Sequence, residues 1–287
     1  MVILKNPLLI AFEKVVLLKT IHAAAIDLGL TQAAITKRIQ ALESEMGVNL
    51  FLRSRRGMAL TEEGAALLQF CKITQDAEGE LLGKIKGQER QESSLTIIGP
   101  TSAISTRIAE NCAPLYLKYP FLRLHLRSED HANLIESIRR GEADLAIVPP
   151  SQVPNEMDSK VLKPDKYFLV SASSWKNRDL KEILQNERMI DFYESDSTTL
   201  NYLKKFNLEK HIGKSRLFVN ENEALIRYFM LGVGFGTLTE TVAKPFLENE
   251  TLIRLNKAQS VEDPLALVWY PRSKRQPHFD ELVKSIK

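Results

Sequence analysis

Residues 31–47 read TQAAITKRIQALESEMG, and this segment gives the clearest indication of how the N-terminal part of the chain folds. Thr31 is a good N-cap, apolar residues recur after it at helical spacing, and Gly47 provides a left-handed stop, so the stretch predicts one helix. The residues predicted to point inward are Ala34, Ile35, Ile39, Leu42 and Met46. The opposite face carries small polar and basic side chains.

Two shorter helices are predicted upstream of this stretch. Asn6 caps a helix that begins at Pro7, and a second helix fits residues 21–28 and closes at Gly29. Two short helices joined by a glycine-containing turn, the second with a polar outer face, are typical of a helix-turn-helix. Gln pairs with adenine and Arg with guanine, so we predict a base-reading set of Thr31, Gln32, Ala33, Thr36, Lys37, Arg38 and Gln40.

Residues 50–60, LFLRSRRGMAL, predict a two-stranded wing with a basic tip. Arg53, Arg55 and Arg56 are expected to contact phosphate oxygens, which gives affinity without sequence information. A polar helical hairpin or an arginine-rich loop alone is more often a solvated surface. The order and spacing of the two favour a winged helix-turn-helix that binds double-stranded DNA.

The composition excludes several classes of protein. The chain has 287 residues, of which 44% are hydrophobic and 26% charged, and these values exclude a disordered, collagen-like or disulfide-rich chain. The net charge of +3 is unevenly distributed: residues 1–58 carry +4, whereas residues 62–92 carry −3. The basic excess therefore lies in the predicted DNA-binding part.

No metal, cofactor or membrane partner is predicted. Cys71 and Cys112 lack a CxxC partner, and the five histidines show no ligand spacing. The longest apolar runs, 8–12 and 265–270, are far shorter than the roughly 18 residues that span a bilayer. A charge at Glu13 interrupts any signal peptide, and we expect a cytosolic protein.

A long amphipathic helix is predicted to begin after Thr61. Its first turn carries Glu62 and Glu63, which the helix dipole favours. An apolar stripe follows with no predicted partner in the small N-terminal domain, and we call it the linker stripe: Ala66, Phe70, Ile73, Ala77, Leu81 and Ile85. We predict that it pairs with a second copy of the chain, with packing on its own domain as the alternative. Residues 86–94 resemble a hinge.

Beyond the hinge, short apolar strands alternate with helices, which predicts α/β architecture with parallel sheets. The predicted strands are 95–98, 122–126, 145–148, 167–170, 189–192, 217–219, 235–238 and 265–270. In such sheets ligands bind at the carboxyl ends of the strands.

The chain resembles the LysR-type transcriptional regulators. Its N-terminal part matches the family pattern over about sixty residues, at Phe12, Ala24, Ala25, Leu28, Thr31, Gln32, Ile35, Thr36, Ile39, Leu42, Glu43, Gly47, Leu50, Phe51, Arg53, Leu60, Thr61 and Gly64. The match continues more thinly at Tyr119, Pro120, Gly141, residues 144–147 and residues 232–238. Two departures are His22, where the family has Ser or Thr and which affects the cap of the second helix, and Ala33, where it has Pro or Ser and which affects base reading.

The resemblance implies an N-terminal winged helix-turn-helix domain (1–60), a dimerising linker helix with hinge (61–93) and a periplasmic-binding-protein-like effector domain (94–287). The effector domain comprises subdomain I (94–162 and 266–287) and subdomain II (163–265). The implied assembly is a homodimer or homotetramer.

Polar strand ends predict the effector site between the subdomains. Backbone N–H groups and hydroxyls at a helix start favour an anion, and an acidic second wall favours a zwitterion or a basic amino acid. The candidate residues are Thr101, Ser102, Pro149, Asp196, Ser197, Thr198 and Glu221. The alternative is that the polar residues only cap their helices. A faint likeness of Asp191, Phe192 and residues 267–270 to the basic-amino-acid-sensing branch agrees with the acidic wall.

The leading prediction is a DNA-binding transcriptional regulator modulated by a carboxylate or amino-acid-like effector. An enzyme is the second hypothesis, because residues 232–236 are glycine-rich, but the GxGxxG, GxxxxGK[ST] and GxSxG motifs are absent and no catalytic residue is predicted. A solute-binding module without DNA contact is the third, and the arginine-rich wing argues against it.

Overall fold

The N-terminal core closes around the helices that the sequence predicts. The computed structural model describes residues 6–54, 57–85, 93–129, 134–213, 216–271 and 277–287. The first elements are helices α1 (Pro7–Leu18), α2 (Ile21–Leu28) and α3 (Gln32–Met46), followed by strands β1 (Phe51–Ser54) and β2 (Gly57–Leu60). Phe12, Ile35 and Leu50 are fully buried between them. Met46, predicted to point inward, is 45% exposed because α3 has passed the core at its last residue.

The β1–β2 hairpin is held against the end of α1. Its strands pair antiparallel from Phe51 opposite Leu60 to Ser54 opposite Gly57. The Met58 N–H donates to the Lys19 carbonyl at 2.8 Å. A Cβ at Gly57, whose φ is 115°, would collide with that carbonyl, so the contact requires glycine. The wing is therefore fixed relative to the three helices.

Helix α4 (Glu62–Ile85) leaves this core as a long extension. Thr61 Oγ1 accepts a hydrogen bond from the Gly64 N–H at 2.9 Å and donates to the Asn49 carbonyl at 2.7 Å, so Thr61 caps the helix that begins after it. Leu68 and Cys71 on one face are buried in the N-terminal core.

A five-stranded sheet forms the core of the first C-terminal subdomain. Its strands are β3 (Ser93–Gly99), β4 (Leu122–Ser128), β5 (Leu145–Val148), β6 (Asp158–Val161) and β13 (Ala266–Trp269), in the spatial order β4-β3-β5-β13-β6. Its helices are α5 (Ala109–Lys118), which continues a π-helical segment at Ala103–Ile108, α6 (Leu134–Arg139) and α11 (Pro277–Ser285).

A six-stranded sheet forms the second subdomain. It contains β7 (Asp165–Ala172), β8 (Arg188–Asp191), β9 (Leu217–Phe218), β10 (Gly234–Thr239), β11 (Leu252–Arg254) and β12 (Ser260–Asp263). The order is β11-β7-β10-β8-β9, and β12 also pairs with β7. Its helices are α7 (Leu180–Asn186), α8 (Thr198–Lys205), α9 (Asn222–Met230) and α10 (Glu240–Glu248).

The prediction of parallel sheets was wrong, because both sheets are mixed. Strands β3, β4 and β5 run parallel, but β13 is antiparallel to β5 and β6, and β7 is antiparallel to β10. The chain crosses between the sheets before β7 and returns before β13, so these strands enter their sheets from the opposite end. All eight predicted strands are present.

The two thiols provide a test of this packing. Burial raises the pKa of Cys71 to about 12, assisted by the Glu13 carboxylate, and raises that of Cys112 to about 11. Because the thiolate is the reactive form, we expect both thiols of the native protein at pH 8 to react with Ellman's reagent at least about a hundredfold more slowly than a free thiol. Denaturant should release both thiols, and rapid modification of either one in the native protein would contradict the fold.

Candidate DNA interface and effector cleft

The outer face of α3 presents the predicted base-reading residues. Ile35, Ile39 and Leu42 are buried on the inner face. Thr31 Oγ1 accepts a hydrogen bond from the Ala34 N–H at 3.1 Å, so Thr31 serves as the N-cap. On the outer face Thr31, Gln32, Ala33, Lys37 and Gln40 are exposed, and Thr36 and Arg38 are half-buried. The structure thus brings the seven helix candidates together on one accessible surface.

The cap of α2, which the sequence analysis linked to the unusual His22, is provided by a neighbouring residue. Thr20 Oγ1 accepts from the Ala23 N–H at 3.1 Å, and Thr20 is the N-cap. His22 instead has its Nδ1 atom 3.1 Å from Nε2 of Gln32, the first residue of α3. Capping therefore does not require Ser or Thr at position 22.

The structure describes one of the three arginine candidates of the wing. Arg53 lies in β1. Arg55 and Arg56 lie outside the described residues, and their role stays a prediction.

Two adjoining cavities lie along the helices of the second subdomain. One, of about 470 Å³, is bounded by Thr101, Ser105 and Thr106 from the first subdomain and by α9 and α10 from the second. The other, of about 600 Å³, continues between α9 and Phe246, and both are lined by Glu221. Thr101 and Glu221 thus face one space, whereas Ser102, Pro149, Asp196, Ser197 and Thr198 do not line either cavity.

Three of the candidate effector residues make capping or helical contacts. The Glu221 carboxylate accepts from the N–H groups of Glu223 at 3.1 Å and Ala224 at 2.7 Å. The Asp196 carboxylate accepts from the Thr198 N–H at 2.8 Å and the Phe192 N–H at 3.3 Å. Ser197 Oγ accepts from Asn201 Nδ2 at 3.2 Å. Local capping therefore accounts for Asp196 and Glu221, and a ligand would share carboxylates already fixed in position.

Tyr167 is a neighbour of the candidate Ser102 that the sequence analysis missed. It lies near the start of β7, and its hydroxyl hydrogen-bonds with the Ser102 side chain. Burial raises its pKa, and the carboxylates of Asp263, Asp165 and Asp196 raise it further. The Tyr167 hydroxyl therefore lies beside Ser102 and within electrostatic reach of Asp196. The only signal in the sequence was a hydroxyl-bearing aromatic residue at the edge of a predicted strand.

A buried ion pair joins the first subdomain to the crossover between the sheets. Arg107 Nη2 lies 2.6 Å from Asp165 Oδ1, and the two side chains are only 11% and 15% exposed. Asp165 begins β7 and is paired in register with Asp263, where the chain leaves the second sheet. This ion pair therefore links the first subdomain to β7, where the chain enters the second sheet, and through β7 to β12, where the chain leaves it.

The effector domain also contacts α4 of its own chain. Gln69 Nε2 donates to the Ile138 carbonyl at 2.9 Å, and Lys72 Nζ donates to the Gly141 carbonyl. Lys19, which anchors the wing, lies 3.6 Å from Glu142. The turn after α6 therefore contacts α4 and the residue that follows α1 directly.

The linker stripe is open in the single chain. Phe70, Leu81 and Ile85 are 55%, 56% and 70% exposed. Ala66 and Ala77 are also exposed, and Ile73 is half-buried. The alternative that the stripe packs on its own domain was therefore wrong.

Comparison with known proteins identifies this arrangement. Residues 8–65 match the bacterial regulatory helix-turn-helix protein of the lysR family, and residues 88–287 match the LysR substrate binding domain. The chain belongs to the LysR family of transcriptional regulators. It is 28% identical to the HTH-type transcriptional regulator YusT of Bacillus subtilis over 85% of this chain and 81% of YusT.

Two solved structures share the fold. ArgP from Mycobacterium tuberculosis superposes with a TM-score of 0.81 at 21% identity, covering 98% of this chain and 95% of ArgP. Full-length LysG from Corynebacterium glutamicum, solved with bound effector Arg, gives a TM-score of 0.76 at 20% identity, covering 96% and 95% of the two chains.

Family membership decides between the three hypotheses. LysR regulators bind DNA and effectors and form oligomers, so this chain is a DNA-binding transcriptional regulator with an effector-binding domain. It is not an enzyme, and the solute-binding module without DNA contact was the wrong alternative. None of the helices in the described ranges has the length and hydrophobicity needed to cross a membrane.

Proposed function

We propose that the chain is a cytosolic homodimeric or homotetrameric regulator. In this proposal α3 contacts the bases of an operator and the wing contacts its phosphates. The observation that carries this proposal is the single accessible face of α3, from Thr31 to Gln40, beside a hairpin fixed to α1. In the same proposal residues 1–60 bind DNA, residues 61–93 form the dimer contact and residues 94–287 bind the effector.

The wing predicts a change in salt dependence. We expect Arg55→Ala with Arg56→Ala to weaken binding to all DNA sequences about equally and to lower the slope of log affinity against log salt by roughly 0.9 per lost phosphate contact. Filter binding at several salt concentrations measures the slope. Lys204→Ala with Lys205→Ala removes the same charge from exposed positions on α8 and should leave the slope unchanged. An unchanged slope in the wing variant would remove the wing from the interface.

We further propose that the cleft binds a small carboxylate with an amino-acid-like or basic character. Thr101 and Ser102 stand in the first helical turn after β3, where N–H groups without intrahelical partners favour an anion. Glu221 and Glu223 line the opposite wall of the same cavity and favour a cationic group. LysG, solved with Arg, has the same fold, so L-arginine is the first probe.

The cleft assignment predicts a loss of effector affinity. Thr101→Val with Ser102→Ala should weaken L-arginine binding by about tenfold or more, because hydrogen bonds to a charged group contribute about 1.5 to 3 kcal/mol each. Calorimetry on the full-length protein measures the affinity, and basal DNA binding should be unchanged. Ser285→Ala removes a hydroxyl that bonds only within α11 and is the control. Equal affinity in the double variant and the control would place the effector elsewhere.

The route from effector to DNA is proposed to run through the contact between the turn after α6 and α4. An effector shifts the equilibrium only by its differential affinity for two arrangements of the subdomains, typically about 1 to 3 kcal/mol. Pro149 directly follows β5, and the turn that precedes β5 accepts hydrogen bonds from Gln69 and Lys72 of α4. Movement of the first subdomain would therefore act on the linker helix directly.

A further inference from the structure

The contact between His22 and Gln32 links the two helices of the helix-turn-helix through side chains that face outward. His22 lies in the first turn of α2 and Gln32 begins α3, and both side chains are exposed. His22 Nδ1 is 3.1 Å from Gln32 Nε2. Because an amide nitrogen donates and does not accept, Nδ1 is the acceptor and the ring proton resides on Nε2.

This bond determines what Gln32 can offer to a base. One of the two amide N–H groups is taken by His22, which leaves Oε1 and the second N–H free. These two groups match adenine, whose N6 amino group donates and whose N7 accepts in the major groove. The bond also restricts the rotamers of the Gln32 side chain in the free protein. Part of the conformational entropy that this side chain would lose on binding DNA is therefore already lost before binding.

His22 can orient Gln32 because its side chain neither caps α2 nor packs in the buried N-terminal core. Thr20 caps α2, and the His22 ring is outside the buried core. Ala33 next to Gln32 is exposed and small, so a base edge can approach the amide without displacing a larger side chain.

We propose that His22 is a specificity-determining positioning residue, which orients the Gln32 amide so that it selects adenine. The inference rests on the proposed DNA interface of α3. His22 acts through Gln32 and does not itself read the base.

Selection from a randomised duplex library by the full-length protein tests the proposal. The wild-type protein should select adenine at one position of each half-site by about tenfold or more. Gln32→Ala and His22→Phe should both lose this preference at the same position, and His22→Phe should add nothing in the Gln32→Ala background. His22→Asn should keep the preference, because its Oδ1 can accept from Gln32 Nε2. Thr20→Ala removes the cap and should lower stability without changing base preference.

The outcomes separate this inference from the proposed interface. If Gln32→Ala loses the adenine preference while His22→Phe keeps it, the positioning role is overturned and the α3 interface stands. If His22→Asn loses the preference as fully as His22→Phe, an accepting atom at position 22 is not what matters, and the proposal is also overturned. If Gln32→Ala retains every base preference, or the wild-type protein selects no sequence, both the inference and the assignment of α3 as the reader are overturned.

Discussion

Phe70→Glu is expected to convert the oligomer into monomers and to abolish high-affinity operator binding. Phe70 is 55% exposed in the single chain, on the side of α4 that faces away from the N-terminal core. In a symmetric dimer each copy contributes the same surface, so the substitution places two unpaired carboxylates in one apolar seam. At about 3 kcal/mol or more for each, association should weaken at least about ten-thousandfold.

Sedimentation velocity of the full-length variant measures this effect, with circular dichroism as the check on folding. The matched control is Val161→Glu, which makes the same kind of change at a 68% exposed position on the edge strand β6. That variant should retain the native oligomer. A Phe70→Glu protein that sediments like the wild type would show that the linker stripe is not the dimer seam. Sedimentation of the wild type also distinguishes a homodimer from a homotetramer.

The N-terminal fold was predictable because its signals are local. Caps, glycine stops and helical periodicity specify α1, α2 and α3, and the predicted helix 21–28 agrees with Ile21–Leu28. In the effector domain the buried strands were also visible as short apolar runs. Strands β6, β11 and β12 were missed because they are short, lie at sheet edges and read DSKV, LIR and SVED, without a continuous apolar run.

The cleft was only partly predictable, because its geometry depends on residues far apart in sequence. Helix-start signals identified Thr101 and Glu221, which do line one cavity. The same signals could not distinguish a ligand contact from a local bond, and in this structure Glu221 is the N-cap of α9 while Asp196 accepts from the first N–H of α8. No local pattern indicates that Arg107 meets Asp165 or that Gln69 meets the Ile138 carbonyl.

Arg216→Met is expected to destabilise the second subdomain by about 3 to 5 kcal/mol, a large part of the stability of a domain. Asp191 ends β8 with its side chain only 1% exposed, and Arg216 donates to its Oδ2 from Nε at 2.8 Å. The same guanidinium donates to the carbonyls of Glu194 and Asp196. Removing it leaves a buried carboxylate without its counterion and frees the loop that precedes α8. Urea unfolding followed by Trp175 in a Trp269→Phe background reports on this subdomain, since the chain has two tryptophans.

The pH dependence and a double variant separate loss of the counterion from loss of packing. Burial already raises the pKa of Asp191, and losing Arg216 should raise it further. The folded variant then holds a proton that the unfolded chain releases above about pH 3.9, so its stability falls as the pH rises from that value towards the raised pKa. The deficit against the wild type should therefore be smaller at pH 5 than at pH 7. Asp191→Asn combined with Arg216→Met removes both charges and should recover much of the lost free energy of unfolding at pH 7. A deficit that does not depend on pH and is not recovered in the double variant would contradict the ion-pair role. It would show that Arg216 acts through packing on Phe218 and through its bonds to the loop carbonyls.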